Sequence, residues 1–152
     1  MDHEPAAPPL TAEEFQELAT QGVPFVGLLG CRVERFAPGD VAVRLPWAAH
    51  LVRPGGTVCG PAMMALADIV LYGLVLSRIG RVELAVTADL TFHFLRKPRP
   101  GDLVGEGRLL RLGRTLAAGE ALIYSAGEAE PVAHAVGTYA IPASPAARRA
   151  AG

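Results

Sequence analysis

From Pro61 to Leu76 every residue is apolar or glycine except Asp68. The segment CGPAMMALADIVLYGLVLSRIG, residues 59–80, is long enough for a helix of several turns and carries no polar face. A helix that is apolar all round has to be enclosed on nearly every side by other elements. Upstream, Thr11 followed three residues later by Glu14 has the form of a capping box and predicts a short helix over TAEEFQELATQ, stopping at Gly22. VPFVGLLG then leads into two strand-like runs, CRVERFA and VAVRLPW, around the turn Pro38-Gly39-Asp40. A loop through His50–Gly56 reaches the long helix.

Everything after Gly80 reads as sheet. In LAVTADLTFHFL, strict alternation puts Leu84, Val86, Ala88, Leu90, Phe92 and Phe94 on one face and Thr87, Asp89, Thr91 and His93 on the other. The first face is apolar enough to cover a helix. A second Pro-Gly-Asp turn at Pro100 starts DLVGEGRLLRL, Gly113 marks the next turn, and TLAAGEALIYSA and PVAHAVGTYAIP follow on either side of GEAEP. The count is six strands, four of them consecutive after the helix, and short turns favour antiparallel pairing. The pattern predicts an α+β hotdog fold, a curved antiparallel β-sheet wrapped around one long apolar α-helix. Residues 1–10 and 143–152 are poor in core formers and read as loose tails, leaving a single domain over 11–142.

Composition narrows the partners. The formal net charge is −1, from 14 basic and 15 acidic residues, without the basic excess of a nucleic-acid binder. The start, MDHEPAAPPL, has neither the positive nor the apolar region of a secretory signal. Cys31 and Cys59 read as free thiols of a reducing cytoplasm. The apolar helix falls short of the roughly 20 apolar residues of a membrane span. A central Asp would cost about 2.5–3.5 kcal/mol there, so burial within a protein is the better reading and no membrane partner is expected.

CGPAMMALAD, followed by LAVTADLTFHFLRKPRPGDL and PVAHAVGTYAIP, resembles the PaaI-type acyl-CoA thioesterases of the hotdog superfamily, over residues 24–142. That family reads His-Gly-Gly, four variable residues, then Leu-Ala-Asp or Leu-Ala-Glu. Here Leu66, Ala67 and Asp68 match the end, Gly60 the first glycine, Pro61 stands on the second and Cys59 on the His. The resemblance implies hydrolysis of an acyl-CoA at composite sites of a homodimer or a dimer of dimers, with no cofactor or metal. The residues fit that chemistry. Thioester hydrolysis needs donors for a developing oxyanion and a carboxylate that attacks or activates water. Gly60 opens the helix, where a free N–H is backed by the positive helix end, and Asp68 is the base or nucleophile. Eight residues separate them, about 12 Å along the axis. Reacting atoms must come within roughly 3–3.5 Å, so Asp68 of one helix is expected to meet Gly60 of another.

Each candidate has a plainer alternative. Asp68 can be a buried carboxylate held by backbone donors or an arginine, since a lone buried charge demands a partner. Cys59 at a helix start tends towards thiolate, but a thiol nucleophile needs His50, His93 or His134 beside it, so a small N-terminal residue near the substrate is preferred. Met64, with Met63, suggests an apolar or aromatic acyl group. Tyr72, one turn beyond Asp68, suits the acyl pocket or the core equally. Arg96, Lys97 and Arg99 before the second Pro-Gly-Asp turn, and Arg111 and Arg114 around Gly113, suit solvated turns or the phosphates of coenzyme A. His93 and His134 form no metal spacing. A non-catalytic acyl-CoA-binding protein and a hotdog hydratase or dehydratase are the alternative functions.

Overall fold

The computed structural model describes residues 8–143; the tails expected at 1–10 and 143–152 otherwise lie outside the described residues. Residues 8–10 join the fold, with Leu10 packed on the core and the Pro8 carbonyl accepting from the Arg81 N–H. Helix α1 (Ala12–Glu17) begins at the expected capping box: the Glu14 N–H donates to Thr11 Oγ1 and the Thr11 N–H to the Glu14 carboxylate. A π-helical turn, Leu18–Gly22, carries it on to the predicted stop. The run VPFVGLLG, expected to be a plain lead-in, forms a second short helix, α2 (Pro24–Leu29), with Pro24 in its first turn and Gly30 ending it at φ 74°. Pro has no N–H to leave unsatisfied at a helix start, and Gly adopts a left-handed stop without strain.

Strands β1 (Arg32–Ala37) and β2 (Asp40–Leu45) pair around the first Pro-Gly-Asp turn. Helix α3 (Gly60–Ile79) follows, then β3 (Val86–Phe94), β4 (Leu103–Leu112), β5 (Leu116–Ser125) and β6 (Pro131–Ala140). The six strands form one antiparallel sheet in the order β1-β2-β4-β5-β6-β3. It wraps α3, the hotdog arrangement expected. Contrary to the count made from sequence, the 20 residues of α3 are long and apolar enough by composition to cross a membrane, but 72% of that apolar window is buried inside the fold.

Glycines on the inner face of the sheet let α3 settle this deeply. A Cβ at Gly137 would lie 2.5 Å from Leu71 Cδ1. At Gly107 it would lie 2.5 Å from Val70 Cγ1, 2.8 Å from Leu74 Cδ1 and 3.2 Å from the Glu120 carbonyl oxygen. A branched side chain and a backbone oxygen cannot both yield, so Gly107→Ala is expected to destabilise by about 1–3 kcal/mol, lowering the melting temperature by roughly 2–12 °C. An unchanged melting curve would mean that the helix can lift from the sheet without cost.

Two features depart from the sequence pattern. First, α3 is not enclosed on every side: Pro61 and Met64 are exposed, and Ala65 and Asp68 partly so. Their spacing of three, four and seven residues makes one uncovered stripe. Second, the face expected to run from Leu84 to Phe94 is split. A bulge between Thr87 and Asp89 changes the pairing of β3 with β6. Leu90 and Phe92 remain on the core side, but Leu84 and Val86 are left 75% and 60% exposed while Thr87 turns to the interior. One extra residue in a strand inverts the parity of everything before it.

Candidate active site

Helix α3 starts at Gly60, with Pro61 second and Cys59 as the cap. The Cys59 N–H is used by the Leu51 carbonyl at 2.8 Å, and the Met63 N–H returns to the Cys59 carbonyl. Among the described residues the Gly60 N–H has no partner. It is one of the orphan donors of a 20-residue helix and carries the helix's positive end. A Cβ at Gly60 would come 3.1 Å from the Phe94 ring, so glycine is also what lets the end of β3 close over the helix start.

Asp68 lies at the far end of the uncovered stripe. Its Oδ1 accepts from the Thr87 hydroxyl at 2.7 Å and the Tyr139 hydroxyl at 2.8 Å. The Tyr139 hydroxyl also lies 3.0 Å from the Asp68 carbonyl oxygen. The partners are therefore two side-chain hydroxyls rather than the backbone donors or arginine considered from sequence. Burial, reinforced by the negative charge of Asp68, pushes the Tyr139 phenol far above its usual value, so it stays a proton donor. The other oxygen, Oδ2, has no hydrogen-bond partner among the described residues, and Asp68 itself is half-buried. One oxygen is anchored and the other is left unpaired by them.

Thr87 and Tyr139 were missed as site residues. Alternation assigned Thr87 to the outer face, and the bulge that brings it to Asp68 has no signature in the residue pattern. Tyr139 had one available signal: a tyrosine inside an apolar strand needs a partner for its hydroxyl.

The other candidates separate clearly. Tyr72 is 8% exposed, donates its hydroxyl to the Glu83 carbonyl and stacks on Tyr139 with centroids 6.0 Å apart. It is a core residue behind Asp68, not a wall of an acyl pocket. Met64, 40% exposed, stands one turn before Asp68 on the open stripe. Among the described residues Cys59 has no histidine partner: His50 contacts the Leu28 carbonyl, His134 pairs with Glu120, and His93 lies exposed on β3. Cys31 is buried and its thiol pushed up to about 11, chiefly by burial, which keeps it protonated. Among the described residues no group of three or more His, Cys, Asp or Glu can hold a metal ion.

Arg96 and Arg114 do not share a site within one chain. Arg96 pairs with Glu130 and lines a cleft of about 440 Å³ that includes Gly60. Arg114 lies with Arg111 in another cleft, at the β4–β5 turn. The first borders the Phe94 end of β3; the second belongs to the sheet end where Thr115 bonds to Ile141, beyond Tyr139.

A family model described as Thioesterase superfamily matches residues 55–132, just over half of the chain. The chain is 42% identical to a crystal structure from a Silicibacter species named as a thioesterase, covering 88% of this chain and 93% of that one with a TM-score of 0.80. It is 27% identical to a mutant of the phenylacetic acid degradation protein PaaI from Thermus thermophilus, covering 78% of this chain and 99% of that one with a TM-score of 0.69. It is also 27% identical over 85 residues to a protein of Thermoplasma acidophilum named as an esterase, a match that takes in 56% of this chain and 64% of that curated relative's length. With the long helix, its wrapping sheet and the matched segment spanning Gly60 and Asp68, the chain belongs to the thioesterase superfamily.

Proposed function

We propose that this protein hydrolyses an acyl-CoA, releasing a carboxylic acid and free coenzyme A. The observation that carries the reading is the Asp68 carboxylate, with Oδ1 anchored by Thr87 and Tyr139 and Oδ2 without a partner among the described residues, on a stripe of α3 that the sheet leaves uncovered. Such a carboxylate suits a general base, taking a proton from water as the water attacks the thioester carbon. It equally suits direct attack on that carbon, forming an acyl-Asp68 anhydride that water then cleaves to release the acid and restore the carboxylate. Either way the carbon–sulfur bond breaks, the thiol leaves as coenzyme A, and negative charge develops on the carbonyl oxygen. The Gly60 N–H is the donor for that oxygen.

The same helix holds both groups about 12 Å apart, so we assign each site to two chains, Asp68 from one and Gly60 from the other. Features of the single chain support this. β3 is an edge strand, flanked by exposed Val86, Phe94 and Leu95 beside the open stripe of α3. Unpaired edges and apolar patches of this kind are surfaces that proteins normally cover. An antiparallel two-fold pairing along β3 would also bring the Arg96 end of one chain towards the Arg114 end of the other, where both suit the phosphates of coenzyme A. Met64 and the exposed apolar residues of β3 favour an apolar or aromatic acyl group.

The test is thiol release from short, medium and aryl acyl-CoAs. At least one is expected to turn over, and a chelator is expected to leave the rate unchanged because the groups assigned to the chemistry are a carboxylate and a backbone N–H. Binding without release of thiol across the whole panel would turn the assignment towards an acyl-CoA-binding protein. Loss of activity with chelator, restored by zinc, would overturn the mechanism.

A further inference from the structure

Tyr139 is tied to Asp68 twice. Its hydroxyl lies 2.8 Å from Oδ1 and 3.0 Å from the carbonyl oxygen of the same residue. A phenol has one proton, so it donates fully to only one of them at a time. The backbone oxygen can accept although it lies inside α3, because a carbonyl has two lone pairs and the helix bond uses one. Among the described residues Thr87 reaches Oδ1 alone, so the double contact is particular to Tyr139. A phenylalanine ring would fill the same place and stack on Tyr72 in the same way. The hydroxyl is the part that needs a reason.

The ring is held in place. Tyr139 is 3% exposed, and its backbone sits between Thr87 of β3 and Ala117 of β5. Its face stacks on Tyr72 with 24° between the planes, and Tyr72 is fixed in turn by the Glu83 carbonyl at 3.0 Å. Burial and the charge of Asp68 keep the phenol protonated. What remains to move is the direction of the O–H bond.

Both routes for hydrolysis take Asp68 between a charged and a neutral form, a protonated acid in one and an acyl anhydride in the other. While the carboxylate is charged, Oδ1 is the stronger acceptor, because a hydrogen bond to an ionised group is roughly twice as strong as a neutral one. Once the charge is gone, the backbone oxygen competes on equal terms. A buried donor left without an acceptor is costly, and here a second acceptor stands beside the first.

We propose that Tyr139 is a positioning residue whose O–H turns between two oxygens of Asp68, bonding Oδ1 while the carboxylate is charged and the backbone carbonyl while it is neutral. The first bond orients the carboxylate with Oδ2 towards water or the thioester. The second lets Asp68 lose its charge without stranding a buried hydroxyl. No proton is transferred; the phenol keeps its own and rotates about its C–O bond. The inference rests on the hydrolase reading for the step that discharges Asp68.

The first experiment needs no turnover. All three tyrosines are replaced by 3-fluorotyrosine and followed by fluorine NMR during an acid titration, with Tyr72→Phe and Tyr124→Phe assigning the Tyr139 signal by elimination. Among the described residues the titratable groups facing the phenol are Asp68 and Tyr72 of α3, with Glu83 and Arg81 beyond Tyr72. The Tyr139 signal is expected to move as Asp68 takes up its proton, and to stay still over the same range in Asp68→Asn. A signal that behaves alike in both proteins overturns the proposal. The second experiment is steady-state kinetics. Tyr139→Phe is expected to lower kcat by about 10- to 100-fold, the effect of a hydrogen bond to a charged group, with KM little changed. The acid limb of its rate–pH profile is expected at higher pH, because the charged carboxylate has lost a donor. In an Asp68→Asn background the same substitution is expected to cost nothing further. An unchanged kcat and profile, or an equal loss in both backgrounds, would leave Tyr139 as a residue of the fold alone. The titration uses no variant of Tyr139, so it decides the proposal even where Tyr139→Phe does not fold. A protein that hydrolyses no thioester refutes the hydrolase reading, while the titration still reports whether the O–H turns.

Discussion

Asp68→Asn should lower turnover by roughly 10²–10⁴, the range of a general-base contribution, without unfolding the protein. That loss corresponds to about 2.7–5.4 kcal/mol of barrier at 1.36 kcal/mol per factor of ten. Asparagine keeps the shape, and its carbonyl oxygen can still accept from Thr87 and Tyr139 in place of Oδ1. What changes is the presented atom: an amide nitrogen neither takes a proton from water nor attacks a thioester. Cys59→Ser should retain most of the activity, because the Cys59 side chain makes no capping hydrogen bond and no histidine among the described residues pairs with it. A dead Cys59→Ser with an active Asp68→Asn would reverse the assignment in favour of a thiol mechanism. A melting curve for Asp68→Asn far below that of the intact protein would instead make Asp68 a structural carboxylate.

Mixing two inactive variants should restore activity if Asp68 and Gly60 of one site come from different chains. Gly60→Pro removes the backbone donor, and Asp68→Asn removes the base. Each variant homodimer has two defective sites. In a mixed dimer one site carries both defects, while the other joins Asp68 from the Gly60→Pro chain to Gly60 from the Asp68→Asn chain. With half the dimers mixed and half of their sites whole, co-expression should recover up to about a quarter of the intact activity per site. The proline ring must displace the Phe94 ring, which is 54% exposed in the single chain. Circular dichroism and gel filtration on each variant check that fold and assembly survive. Mixed dimers that stay inactive, though both variants fold and assemble, would place both groups in a single chain.

Much of the architecture was legible in residue order. The apolar run around Asp68 announced a core helix, the alternation after Gly80 announced strands, and the Thr11–Glu14 pair announced a capped start. These signals are local: a side chain three or four residues away in a helix, or two away in a strand, shares a face whatever the rest of the chain does. Helix α2 was hidden because six residues containing Pro and Gly show no full helical period. Asp68 and Gly60 could be singled out because each is chemically out of place, a carboxylate among apolar residues and a glycine at a helix start.

The surroundings of those two residues were decided only by tertiary structure. Thr87 reads from sequence as an outward residue, and a single bulge turns it onto the Asp68 carboxylate. Tyr139 is 71 positions away along the chain and meets Asp68 only because β6 lies beside β3 and over α3. Tyr72, adjacent to Asp68 by helical spacing, is taken out of the site by its bond to the Glu83 carbonyl and its stacking on Tyr139. The sequence by itself determined the capped first helix, the core helix and the six strands, and that a charge must be accommodated on the core helix, because periodicity and the cost of burying a carboxylate are properties of the local chain. Which oxygen of Asp68 is anchored, which is offered, and which stripe of α3 stays open depend on strand register and helix docking, set by contacts between residues far apart in sequence.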